Sequence, residues 1–81
     1  MKIWTKIEKL WADMAESGVR PRYITMNWKT YSRLVMEIME ELEEGELEYW
    51  EILGDYVTHY KSASIRVDNY LDDSVVYLTM E

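Results

Sequence analysis

The chain predicts an α+β fold, a single small domain over residues 1–81 in the order α-β-α-β-β, with two helices packed on a three-stranded sheet that closes in a C-terminal β-hairpin. Three observations predict it. Apolar residues recur at helical spacing over residues 3–16 and again over 28–44. Short alternating stretches at 23–26, 65–68 and 75–80 carry the strand period of two. Glycine, proline and asparagine punctuate the joints between them.

In the first helix, Ile3, Ile7, Leu10, Trp11 and Met14 form one apolar stripe. Thr5 and Glu8 match a capping box, which would start the helix at residue 6. Ser17-Gly18 ends it, because glycine accepts the left-handed geometry of a helix terminus. Pro21 forbids continuation and biases Arg20 to extended backbone. Tyr23-Ile24-Thr25-Met26 then alternates, with Ile24 and Met26 on one face. Asn27 caps a second helix over 28–44, and Gly45 stops it. Its sheet-facing stripe is Tyr31, Leu34, Val35, Ile38 and Leu42, with Met36 and Met39 beside it. Residues 46–63 have no clean period and fit either a short helical turn or an irregular arm, with a turn at Gly54-Asp55 and a short extended stretch at Tyr56, Val57 and Tyr60. Ile65–Asp68 and Val75–Met80 should pair as the closing hairpin, with Ile65 and Val67 inward on the first and Val76, Leu78 and Met80 sharing a face of the second.

Eighty-one residues make one domain with a thin core, since such a chain buries only about 60–65% of its unfolded surface. With no cysteine, neither a disulfide nor a thiolate zinc site can reinforce it. No apolar run approaches the roughly 20 residues of a membrane span, and the N-terminus lacks the apolar region of a secretory signal. An intracellular, cytoplasmic location is the expectation. The absence of glutamine and cysteine leans toward a heat-adapted source, and six methionines lean the other way.

The net charge of −7 argues against a general nucleic-acid binder. Its distribution is uneven. Residues 1–33 carry seven basic and three acidic residues, and residues 34–60 carry nine acidic residues and no Lys or Arg. A basic end and an acidic middle could meet between copies.

Few residues have the makings of chemistry. His59 is the only histidine, with Asp55 and Tyr60 as conceivable partners, and its commoner role is that of an ordinary half-buried histidine. Five serines lie in no nucleophile motif, and three dispersed glycines make no phosphate loop. The run Glu37, Glu40, Glu41, Glu43, Glu44, Glu46, Glu48 and Glu51 could ligate a hard cation but lacks the spacing of a calcium loop, so a solvated face is the simpler reading. Its glutamates also crowd a helix C-terminus, where the dipole disfavours them. Arg20, Arg22, Lys29 and Arg33, with Tyr23 and Trp28 among them, could form a small basic-aromatic patch. No cofactor or metal is expected.

Four tryptophans and seven tyrosines occur with no phenylalanine. Tyr and Trp suit surfaces that are half apolar and half wet, interfaces among them. Trp28, Trp50, Tyr49 and Tyr56 are the candidate interface residues.

Read together, Gly18 to Pro21, Tyr23-Ile-Thr-Met-Asn27, Thr30-Tyr31 with Leu34, Ile65-Arg-Val-Asp68 and Val75-Val-Tyr-Leu78 resemble, in order, pieces of the central (axial) domain of tailed-phage major capsid proteins. The likeness runs over roughly residues 10–80. Trp28 stands where the family usually has proline, and Ser62 or Ala63 where it has glycine. The chain has none of the long arm, long helix or peripheral domain of a shell-forming subunit, so the resemblance implies a small virus-encoded or virus-derived relative of the βαββ unit, in a host cell or virion, and it transfers no catalytic residue.

The expected function is therefore a non-enzymatic structural or protein-interaction protein that forms a homo-oligomer, most simply a dimer, with no nucleic-acid or membrane partner. The alternative is an acidic regulatory module that binds a basic protein surface.

Overall fold

The computed structural model describes residues 1–45 and 47–80, with the side chain of Glu44 outside it. Seven elements follow one another: α1 (Ile3–Glu16), β1 (Tyr23–Met26), α2 (Trp28–Glu44), β2 (Trp50–Leu53), β3 (Tyr56–Tyr60), β4 (Ala63–Val67) and β5 (Tyr77–Thr79). The α+β class and both helices match the sequence expectation. The sheet does not: it has five strands, in the order β2-β3-β4-β1-β5.

The difference lies in two places. Residues 46–63 were expected as a helical turn or an irregular arm, with a turn at Gly54-Asp55 and a short extended stretch at Tyr56, Val57 and Tyr60; the turn and the stretch are present, and the strand before them is the departure. From Trp50 onward they form β2 and β3, turned by Gly54 at φ 61°. Glu46 lies outside the described residues. The expected C-terminal hairpin is also absent. β4 and β5 do not pair; β1 lies between them, parallel to β4 and antiparallel to β5. Nine residues separate Val67 from Tyr77, far more than the two of a tight hairpin turn. The real tight turns are Gly54-Asp55 and Lys61-Ser62, each closing an antiparallel pair.

β1 lies inside the sheet, between β4 and β5. Ile24 and Met26 are fully buried, with Ile24 opposite Ile65 on one side and Leu78 on the other. One face of the sheet joins the helices in a single core, built from Ile3, Ile7 and Trp11 of α1 and Tyr31, Leu34 and Ile38 of α2. Leu42, expected in the stripe, is 45% exposed, because α2 outruns the sheet it packs on. Val67 faces inward opposite Met26, as expected, but is 42% exposed at the end of β4. The other sheet face carries Tyr23, Thr25, Ser64, Arg66 and Tyr77 and meets solvent, as one face of a largely antiparallel sheet often does.

The helix ends settle three further expectations. Asn27 caps α2 as expected, its Oδ1 accepting from Thr30 N at 2.7 Å. Gly45 ends that helix in the left-handed region at φ 73°. Thr5 and Glu8, by contrast, form no capping box. α1 starts at Ile3 with Lys2 at its cap and no side-chain cap bond, and Glu8 instead accepts from Trp50 Nε1 at 3.2 Å.

Candidate interaction surface

The four aromatic candidates occupy the two ends of the β2–β3 hairpin. At the turn end, Trp28 opens α2 and Tyr56 opens β3, and both line a shallow cleft whose floor includes Tyr31 and Val67. Trp28 is 54% exposed and Tyr56 60%. The cleft exists because β3 pairs with β4 only at His59↔Ser64 and Tyr60↔Ala63. Beyond that point the Tyr31 hydroxyl serves the first half of β3. It donates to Val57 O at 2.9 Å and accepts from Val57 N at 3.1 Å. Burial pushes the Tyr31 phenol above its ordinary pKa, opposed by its bond to Val57.

At the open end, Tyr49 is 64% exposed and held at φ 71°, a left-handed conformation unusual for an aromatic residue. Lys61 Nζ sits 5.1 Å from its ring centroid. Trp50 is half-buried, and its ring lies 4.6 Å from that of Tyr60 at the rim of the core. Tyr60 has its phenol pKa raised, first by burial and then by Glu8. The four candidates therefore form two patches, not one. Sequence reading missed Leu53, which is 74% exposed beside the Gly54 turn, and Tyr77 on β5, which is 54% exposed. Their signal was present: an apolar residue next to a turn, and an outward position in an alternating strand.

His59 meets neither expected partner. Its Nδ1 lies 3.2 Å from Glu51 Oε2 and 3.0 Å from Thr58 Oγ1. Strand register explains this, since Glu51 pairs with His59 across β2 and β3 while Tyr60 points to the opposite face. Ser64 is the next neighbour across β4. Carboxylate, imidazole and hydroxyl thus stand in a row on the solvent face. No hydrogen bond joins His59 to Ser64, which is the contact a general base needs to activate a hydroxyl.

The acidic run divides by partner. Glu37 Oε1 accepts from the backbone N–H of Trp4 at 3.2 Å, and Glu41 binds Lys2 Nζ at 3.0 Å. Both serve the start of α1, whose first turn has no acidic residue of its own. That interaction raises the Lys2 pKa, first through the hydrogen bond to Glu41 and then through its charge. Glu40, Glu43 and Glu48 remain exposed, while Glu46 and the side chain of Glu44 lie outside the described residues. Among the described residues no three His, Asp or Glu side chains gather in a metal-holding group.

The basic-aromatic patch is not assembled. Arg20 and Arg22 stand at the start of β1, whereas Lys29 and Arg33 stand past its end, on α2. Lys29 pairs with Asp73 at 3.3 Å and Arg33 donates to Ser74 Oγ at 3.0 Å. The start of α2 is also filled from within the chain. The amides of Trp28 and Thr30 donate to the side chains of Asn69 and Asn27, so these two are not presented to a phosphate. Among the described residues no helix is long and apolar enough to cross a membrane.

No protein-family model matches the chain, and neither a curated protein nor a solved structure shows significant similarity to it.

Proposed function

We propose that this protein is a non-enzymatic structural or protein-interaction protein that works by associating with copies of itself. The observation that carries the reading is the exposure of large apolar side chains around one hairpin: Trp28, Tyr49, Leu53 and Tyr56 are all more than half exposed. A chain of 81 residues has little core to spare, so this much aromatic and aliphatic surface in water is better accounted for by a partner. Viral origin belongs to the same proposal and rests on the short sequence phrases that resemble the capsid-protein unit.

The test is mass in solution by light scattering behind size exclusion, over a range of concentrations and at low and high salt. A dimer or larger species is the expected result. Loss of association on Trp28→Ala or Trp50→Ala would assign the aromatic patches. A monomer under every condition would overturn the proposal.

The second reading is an acidic module for a basic protein surface. It is favoured by Glu40, Glu43 and Glu48, which are exposed and make no hydrogen bond or ion pair among the described residues. Its signature is a monomer that captures a basic protein at low salt and releases it at high salt.

A further inference from the structure

We infer that copies of this chain join edge to edge, β5 of one against β2 of the next, to extend one continuous sheet. The inference rests on the self-association proposed above and names its surface and its direction. β2 and β5 are the two end strands, each flanked by a sheet neighbour on one side only. Such edges are templates for further pairing unless they are blunted. The register shift in the β2–β3 pair does not blunt β2. Glu51 pairs with His59 and Ile52 with Val57, so the extra residue, Thr58, belongs to β3 and the spacing along β2 stays regular.

Strand direction suits this union. β5 runs opposite to β1, and β2 runs opposite to β3, which runs opposite to β4, the parallel partner of β1. β5 and β2 therefore point in opposite directions, and a second copy placed beside the first in the same orientation makes an antiparallel ladder. Face alternation then selects the register. Leu78 and Trp50 belong to the core face, on which Leu78 stands beside Ile24 and Trp50 beside Tyr60. Setting Leu78 opposite Ile52 of the next copy places Met80 opposite Trp50 and Tyr77 opposite Leu53. Every pair then shares a face, whereas a slip of one residue would set core-facing residues against solvent-facing ones. Leu53, Tyr77 and Met80 are 74%, 54% and 46% exposed in the single chain, and this register covers all three.

Charge agrees. Arg20 and Arg22 flank Met80 at the foot of β5 in one shallow hollow, and neither has an ion-pair partner among the described residues. The strand β2 is preceded by Glu48, also unpaired among the described residues, and contains Glu51. In the join, β1 and the neighbour's β2 lie two strand spacings apart, about 10 Å, within reach of two extended side chains. A symmetric β2–β2 join would instead bring Glu51 toward its own copy. A head-to-tail join does not close on itself as a pair, so it builds open chains or rings.

The experiment uses two variants at exposed positions, Leu53→Lys and Tyr77→Lys, with circular dichroism to verify folding and light scattering to read mass. Each variant alone spoils every β5–β2 contact and is expected to associate at least tenfold more weakly than the parent. Mixed, they retain one intact contact, the β5 of the Leu53→Lys chain with the β2 of the Tyr77→Lys chain, and should form a 1:1 dimer that grows no further. If only one variant dissociates, the join is symmetric and the inference falls. If both remain associated like the parent, the edges are not the surface; the inference falls and self-association stands. If the parent itself is a monomer, both fall.

Discussion

Tyr31 carries one of the heaviest structural duties of any single side chain here, because its hydroxyl replaces a missing strand. Val57 has both its N–H and its C=O bonded to that one oxygen. Tyr31→Phe leaves a buried donor and a buried acceptor without a partner, and is expected to cost about 2–4 kcal/mol. A thermal melt should fall by about 10 °C or more for a domain of this size. A melt unchanged within about 2 °C would show that β3 closes onto β4 by itself. Asn27 does comparable work with three bonds. It caps α2, and its Nδ2 donates to Leu71 O at 3.1 Å and to Asp73 Oδ1 at 2.8 Å. Asn27→Ala should cost about 2 kcal/mol, and Asn27→Asp should rescue little of it, since the new carboxylate would face Asp73. The same bond, with Lys29, holds the Asp73 carboxyl below its ordinary pKa. A carboxyl lowered in the folded state stabilises above its unfolded pKa and loses that contribution as pH falls through the folded value. Asp73→Asn should therefore lower the neutral plateau and converge with the parent as pH falls below about 4, which flattens the acid limb, as an acid titration of the melting temperature would read.

At the scale of elements, α1 and α2 exchange what each lacks. α1 begins with no acidic residue and no side-chain cap, and α2 has a surplus of glutamates. Glu37 and Glu41, four apart and so on one face, present carboxylates to that start. The glutamates that seemed misplaced at the end of one helix are, in these two cases, well placed at the beginning of another. Glu37→Ala is expected to cost about 0.5–1 kcal/mol, with Glu40→Ala near zero as its control. Equal effects of the two would mean that Glu37 acts only through helix propensity. Among the strands, protection should follow position in the sheet. Amides of β1, paired on both sides and buried, should exchange hydrogen most slowly, and those of β2 and β5 fastest, in dilute monomer. Edge amides that slow as concentration rises would report pairing between copies.

The whole molecule has a radius of gyration of 11.9 Å, close to the roughly 12 Å of a compact chain of this length. Its groups with raised pKa values, Lys2, Tyr31 and Tyr60, all move the same way. A raised group stabilises below its unfolded pKa and loses that contribution as pH climbs through the folded value. Stability should hold across neutral pH and decline above about pH 10, and an alkaline titration of the melt checks it.

Both helices, their ends at Gly18 and Gly45 and the Asn27 cap were legible in the residues, because helical period, capping and left-handed termini are local and depend on neighbours a few positions away. The strand at Tyr23–Met26 was legible for the same reason, and so were the exposed aromatics as a type. What local pattern could not supply was who pairs with whom. The short alternating run Ile65–Val67 faces the same way beside Tyr77–Thr79 or beside Tyr23–Met26, and nearness along the chain favours the first. The tertiary structure chose the second, placing β1 inside the sheet between β4 and β5, where Ile24 and Met26 are fully buried. It also made a hairpin from Trp50–Tyr60, whose apolar residues follow no clean period because the extra residue at Thr58 breaks the alternation. Composition and local period thus determined the helices, the Asn27 cap, the glycine-ended termini and the charge layout. Only the packing of one core decided the strand order, and with it which two edges face outward.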